Sequence, residues 1–221
     1  MKIILAADDF GYSLETLNAT IDCAEAGALT SASILVNCPE SEKALNYARE
    51  HPSFGWGVHL TFVGDGVEKS LLPHSELNRL TDSNGYFLPS NKIRLLSIIN
   101  CLPVDQIARE MSAQISKAID CGVKVSYVDS HGHLHKFYPF QQALKKVLPY
   151  FGIKRVRYVQ NVYFRDYIFK PTYLIGQIWR SSIRKNFITT DYLYMPSSTF
   201  DKDWAESIIK LPLNGVLEVG G

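Results

Sequence analysis

Three separate stretches of this chain carry the groups that metal-assisted hydrolysis needs: Asp8-Asp9, His59, and the run Asp129-Ser130-His131-Gly132-His133-Leu134-His135. Two imidazoles and a carboxylate are a common set of three protein ligands for a divalent ion, and they leave positions open for water and substrate. An ion held this way lowers the pKa of water toward neutrality and polarises a carbonyl oxygen. A second carboxylate beside the ligand can take the proton from that water. Neighbouring side chains diverge at a strand end, so Asp8 and Asp9 need not treat one ion identically. Singly, these features have plainer readings. An Asp-Asp pair after a strand is more often a cap or turn, and a histidine in an apolar strand is usually a satisfied core residue. The third stretch is different, because half of the chain's six histidines fall within residues 131–135. If extended, they would share one face, and such clusters have few structural uses. His51 and His74 stand in polar contexts and read as surface residues.

Each stretch follows an apolar run. KIILAA at 2–7 reads as a strand buried on both faces, with residues 8–11 as a loop. Ser13 reads as a helix N-cap with Thr16 at the capping-box position, and the helix stops at Gly27. Residues 30–36 read as a second strand, 40–50 as a helix, and 56–62 as a third strand. Residues 63–102, punctuated by glycine and proline, read as an excursion that helps decide specificity. Pro103 starts the clearest amphipathic helix, VDQIAREMSAQISKAIDCG. KVSYVDSHGHLH reads as a strand entering a loop, PFQQALKKVLPYFG as a helix, and KRVRYV as a strand. DKDWAESIIKLP reads as helical, and GVLEV as a last strand. This alternation predicts an α/β fold with a mainly parallel sheet, about seven βα units closing toward a barrel. In such barrels the active site lies where the strands end, so the three stretches are expected on one rim.

The rest of the composition narrows the class. The chain has 221 residues, read as one domain over 1–221, with 46% hydrophobic and 20% charged residues. A net charge of +1 gives no field that would recruit nucleic acid. Cys23, Cys38, Cys101 and Cys121 form no CxxC pair, so buried reduced thiols are expected rather than disulfides or a cysteine zinc site. The N-terminal apolar run is too short for a secretory signal, and no stretch is long and apolar enough to span a bilayer. A cytoplasmic location is the expectation.

ADDFG near the start, GVHL about fifty residues on, and DSHGHLH near the middle resemble the YdjC-like carbohydrate deacetylases. Asn18, GALTSASILVN at 27–37, and Arg155 with Arg157 fit the same pattern, and the resemblance covers nearly the whole chain. It implies a distorted, TIM-barrel-like (β/α) barrel related to polysaccharide deacetylases. It also implies one divalent ion, magnesium or zinc, on Asp9, His59 and His131, with Asp8 as general base. Asp129, His135, Arg155 and Arg157 would support the ligands or touch the substrate. The implied reaction removes an N-acetyl group from an amino sugar or oligosaccharide. One departure concerns the last strand, which family members follow with a His-Pro-Gly element. Here Leu217-Glu218-Val219 leads to Gly220-Gly221, so the acid role falls to His133 or His135. Two other readings stay open: a sugar-binding protein without catalysis on the same fold, and a non-haem iron enzyme using the same two histidines and carboxylate.

Tyr158, Tyr163, Phe164, Tyr167, Phe169, Tyr173, Trp179, Phe187, Tyr192 and Tyr194 make an aromatic stretch. Core or an oligomer interface is the favoured account, a sugar-stacking wall the alternative, and a homo-oligomer stays open. Arg180, Arg184 and Lys185 fall near one face of a helix there. A solvated face explains them most simply, and a membrane-surface helix is the alternative.

Overall fold

The N-terminal strand runs further than its apolar core. β1 spans Lys2–Phe10 and passes through Asp8 and Asp9 instead of giving way to a loop. Phe10 holds it in place: its ring stacks on Trp56 at 5.5 Å, and its carbonyl accepts from Leu35 N. Between Ala7 and Phe10 the register with the next strand slips by one residue, which is a bulge. Asp9 sits in that bulge with φ +58°. The protein is described here from a computed structural model covering residues 1–64, 66–163, 171–196 and 203–221, with side chains at 171–174 also outside the description.

β2 (Ser31–Ile34), β3 (Gly55–Leu60), β4 (Tyr127–Ser130), β5 (Tyr192–Tyr194) and β6 (Val216–Gly220) join β1 in one sheet, ordered β4-β3-β2-β1-β6-β5. Every pairing is parallel. Isolated parallel bridges Val128↔Val156 and Arg155↔Ile188 continue the pairing from β4 to the lead-in of β5. The sheet thus curls into a distorted barrel, and all strands end on one rim. The KRVRYV segment contributes only these bridges, and β5 is a strand that its short, mixed sequence does not announce.

The helices pack outside. α1 (Leu14–Glu25) starts on the capping box its sequence predicts: Ser13 and Thr16 side chains each accept from the other's backbone N–H. α2 is Ser41–Glu50, and α3 (Ser90–Ile98) is a helix within the 63–102 excursion. That excursion is integral to the core, since Leu77, Leu80 and Ile93 are fully buried. α4 (Val104–Asp120) anchors it through buried Glu110, whose carboxylate accepts from Leu71 N and Leu72 N at 3.0 Å. α5 is Tyr138–Val147, α6 Pro171–Asn186 and α7 Trp204–Ile209.

Several surface expectations change. Cys38 is buried, but Cys23 and Cys101 are exposed; all four cysteines are unpaired. His74 is half-buried and bonded to Thr81. Arg180 does not share an exposed basic face, because it is buried and donates to the Gln160 carbonyl. In the aromatic stretch, Tyr158 and Tyr194 are buried and Trp179 packs edge-on to Phe137. Phe164, Tyr167, Phe169 and the Tyr173 side chain lie outside the described residues. No helix among the described residues is long and apolar enough to cross a membrane.

Candidate functional site

The β1 bulge separates the two adjacent acids. A bulge re-aims side chains that a regular pleat would send to opposite faces. Here Asp9 Oδ1 lies 2.8 Å from His131 Nδ1 and 3.3 Å from His59 Nε2, whereas Asp8 turns to Arg157. The three donor atoms of Asp9, His59 and His131 lie within 4.8 Å of one another. They come from the ends of β1, β3 and β4, as parallel strands require. Burial works against charge on Asp9, but hydrogen bonds and charge from His131 and His59 outweigh it and hold the carboxyl far below the usual range.

His59 is oriented from behind. Its Nδ1 lies 2.7 Å from Asp129 Oδ1 and 3.0 Å from Ser33 Oγ, so Nε2 faces Asp9. A carboxylate on the far nitrogen fixes the ring and raises its basicity, the usual support for a metal-binding histidine. Burial opposes charge on His59, yet Asp129, Asp9 and Asp8 raise its pKa to about 10. The same carboxylates therefore draw positive charge to this point. Ser33 has no sequence motif to announce it; only its place on the strand beside β3 puts it there.

Arg157 ties the carboxylates together. Its side chain is fully buried. Nη1 donates to Asp8 Oδ2 at 2.7 Å and lies 2.8 Å from Asp129 Oδ2, while Nε donates to Glu218 Oε1 at 2.6 Å. Asp8 Oδ1 is also 2.7 Å from Nη1, is buried, and accepts no hydrogen bond with proper geometry. Burial raises the Glu218 pKa despite the guanidinium. Asp129 goes the other way: burial opposes its charge, but Arg157 and His59 prevail. Arg155, two residues earlier, is exposed and lines a cavity at the other end of the barrel.

Residues 131–136 are not extended, so the three histidines do not share a face. Gly132 and His133 take left-handed conformations (φ 64° and 56°) inside a 3-10 turn. A non-glycine residue held there is strained, and such strain gathers at functional sites. The turn leaves His131 beside Asp9 and sends His133 and His135 into a neighbouring cavity of about 250 Å³ with Lys136, Tyr158 and Trp179. Burial first, then the charges of His135, Arg157 and Lys136, push His133 down to about 2.

His135 is also held neutral. Ser130 Oγ accepts from His135 N at 2.9 Å and lies 2.8 Å from His135 Nδ1. Burial drives the His135 pKa down to about 3, with Asp129 opposing. In the unfolded chain it titrates near 6.5, so above that pH it leaves stability unchanged. Below it, only the unfolded chain binds the proton, and stability falls until the folded group follows near pH 3. Lowering the pH from 6.5 to 5 is expected to cost about 2 kcal/mol from this residue. Urea unfolding of the protein and of His135→Gln at both pH values checks it; an unchanged pH dependence in the variant would contradict it.

The donor set suits a divalent ion. Ligands about 2.1 Å from a metal lie roughly 3.0–3.4 Å from each other, close to the spacings around Asp9 Oδ1. The arrangement also leaves the solvent side open, since Asp9 is 35% exposed and His131 19%.

Comparison with known proteins identifies the family of the chain. Residues 2–211 match the sequence model of a family described as YdjC-like protein. A carbohydrate deacetylase of Brevibacillus brevis is 35% identical over 136 residues, covering 61% of this chain and 50% of the relative. One from Thermoanaerobacter pseudethanolicus is 34% identical over 131 residues, covering 59% and 50%. A Listeria monocytogenes carbohydrate deacetylase is 33% identical over 146 residues, covering 65% and 57%. The chain spans about half the length of the curated relatives it matches. Among solved structures, an Enterococcus faecalis protein described as a candidate for cellobiose-phosphate cleavage superposes with a TM-score of 0.75. It is 22% identical and the match covers 99% of this chain and 79% of that one, a likeness of fold.

Proposed function

Because this chain belongs to the YdjC-like protein family, we propose that it is a metal-dependent hydrolase that removes the N-acetyl group from an amino sugar. The observation that carries this reading is the convergence of Asp9, His59 and His131 on one point, with Asp8 held beside them by Arg157. The names of the relatives, carbohydrate deacetylases, supply the substrate class.

Asp9, His59 and His131 would hold the ion, and Asp129 would keep His59 in the ligating tautomer. Two imidazole nitrogens suit zinc better than magnesium, which prefers oxygen ligands. The bound ion would polarise the acetamide carbonyl and acidify water. Asp8 takes a proton from the attacking water, and the oxygen adds to the acetamide carbon. As the C–N bond breaks, the same proton passes from Asp8 to the departing nitrogen, giving acetate and a free amine. Arg157 positions Asp8 throughout. His133, neutral and half-buried, fits a contact to substrate through its N–H better than an imidazolium acid. The four unpaired cysteines fit a reducing compartment such as the cytoplasm.

The test is acetate release from N-acetylglucosamine, N-acetylated chitooligosaccharides and nucleotide- or lipid-linked N-acetylated sugars, with zinc, magnesium or EDTA. Release from at least one of them that EDTA abolishes is the expected result. No release from any, with the ion bound, would move the reading to a sugar-binding protein.

A further inference from the structure

The barrel has a second opening. Ser31, Gly55, Tyr127 and Val216 are the first residues of β2, β3, β4 and β6, and together they line a cavity of about 430 Å³. It lies at the end of the barrel opposite the rim that carries Asp9. A single water occupies about 30 Å³, so the space holds a small molecule.

Its polar atoms are unusual. Ser31 Oγ, Tyr127 OH and Thr190 Oγ1 all belong to lining residues, are buried, and have no hydrogen-bond partner. Ser31 is only 6% exposed. A buried hydroxyl left unpaired costs about 1–3 kcal/mol, so three around one space point to a polar occupant. The Tyr127 ring fills the space over Gly57, where a Cβ would come within 2.5 Å of it, and this fixes where the hydroxyl points. Ile4, Val156, Ile188 and Val216 make apolar wall. Arg155 is exposed at the edge, and its guanidinium has no hydrogen-bond or ion-pair partner among the described residues.

Charge orders the occupant. Tyr127 feels Asp129, Glu218 and Asp8 at the inner end, opposed by Arg157; three carboxylates against one guanidinium disfavour an anion there and favour neutral hydroxyls. Arg157, ion-paired through Nη1 and Nε, is buried at the inner end, so Arg155 is the cation among the lining residues that stands at the outer edge. We propose that this mouth binds a small hydroxylated anion, with hydroxyl groups on Ser31, Tyr127 and Thr190 and a carboxylate or phosphate on Arg155. The site shares no donor atom with the metal ligands and stands whether or not the deacetylase reading does.

Calorimetric titration of the full chain with D-glycerate, glycerol 3-phosphate and uncharged glycerol tests it. At least one anion binds and glycerol binds about tenfold more weakly or not at all, the loss of one charge-assisted hydrogen bond. The tighter of the two anions identifies the head group. Arg155→Gln and Tyr127→Phe each weaken that binding by about fivefold or more, the scale of one hydrogen bond. His131→Ala and EDTA leave it unchanged. The proposal is overturned if neither anion binds, which would mean that ordered water fills the cavity. It is equally overturned if Arg155→Gln leaves binding unchanged, or if binding disappears with His131→Ala. Arg155 is exposed, so its variant decides the matter even if Tyr127→Phe fails to fold.

Discussion

Asp8→Asn lowers turnover on an N-acetylated sugar by about 10²–10⁴-fold, the usual contribution of a positioned general base, and leaves metal affinity unchanged. The amide is nearly isosteric and its oxygen can still accept from Arg157 Nη1, which now donates to Asp8 Oδ2 at 2.7 Å. What it lacks is a lone pair basic enough to take a proton from water. Asp9→Asn makes the informative contrast, since Asp9 Oδ1 stands between His59 and His131 and its loss lowers metal affinity first. Kinetics and metal titration on both variants separate the two adjacent acids. Near-normal turnover in Asp8→Asn would remove Asp8 from the base role.

Arg157→Met destabilises the fold by about 3–5 kcal/mol, the cost of leaving buried charge without its partner. The guanidinium stands between Asp8, Asp129 and Glu218, with Asp129 and Arg157 side chains fully buried. Without it, three carboxylates face one another in a low-dielectric interior. At roughly 2–4 °C per kcal/mol for a chain of this size, Tm falls by about 6–20 °C. Arg157→Lys recovers only part of the loss, because an ammonium cannot reach the Nε and Nη1 partners together. Thermal unfolding of both variants checks this. A Tm within about 2 °C of the parent for Arg157→Met would mean that the carboxylates find other partners.

The candidate ligands stand out in the sequence because their chemistry is rare and their placement follows strand ends. Asp9, His59 and His131 each close an apolar run, and a parallel sheet brings such ends to one rim. What lay beyond the sequence depends on departures from regular geometry. The bulge between Ala7 and Phe10 sends Asp8 and Asp9 to different partners, and no residue type there announces it. Two left-handed residues, Gly132 and His133, break the alternation that would place three histidines on one face. The Arg157–Glu218 pair joins residues 61 positions apart, across strands whose order the sequence does not state. Arg155 reads as an equal partner of Arg157, yet only Arg157 is buried among the carboxylates, while Arg155 is exposed at the far mouth of the barrel. α3 is hidden because Leu95, Ile98 and Ile99 are exposed, which blurs its helical pattern.

The measurement that bears most directly on the account is calorimetric zinc titration of the metal-stripped protein beside Asp9→Ala, His59→Ala and His131→Ala. The donor geometry predicts one ion per chain in the parent, and affinity reduced at least about tenfold in each variant, as expected when a ligand or its orientation is lost. Folding of each variant is confirmed by circular dichroism. A parent that binds no ion, or variants that bind as tightly as the parent, would contradict the claim that these three side chains form the metal centre.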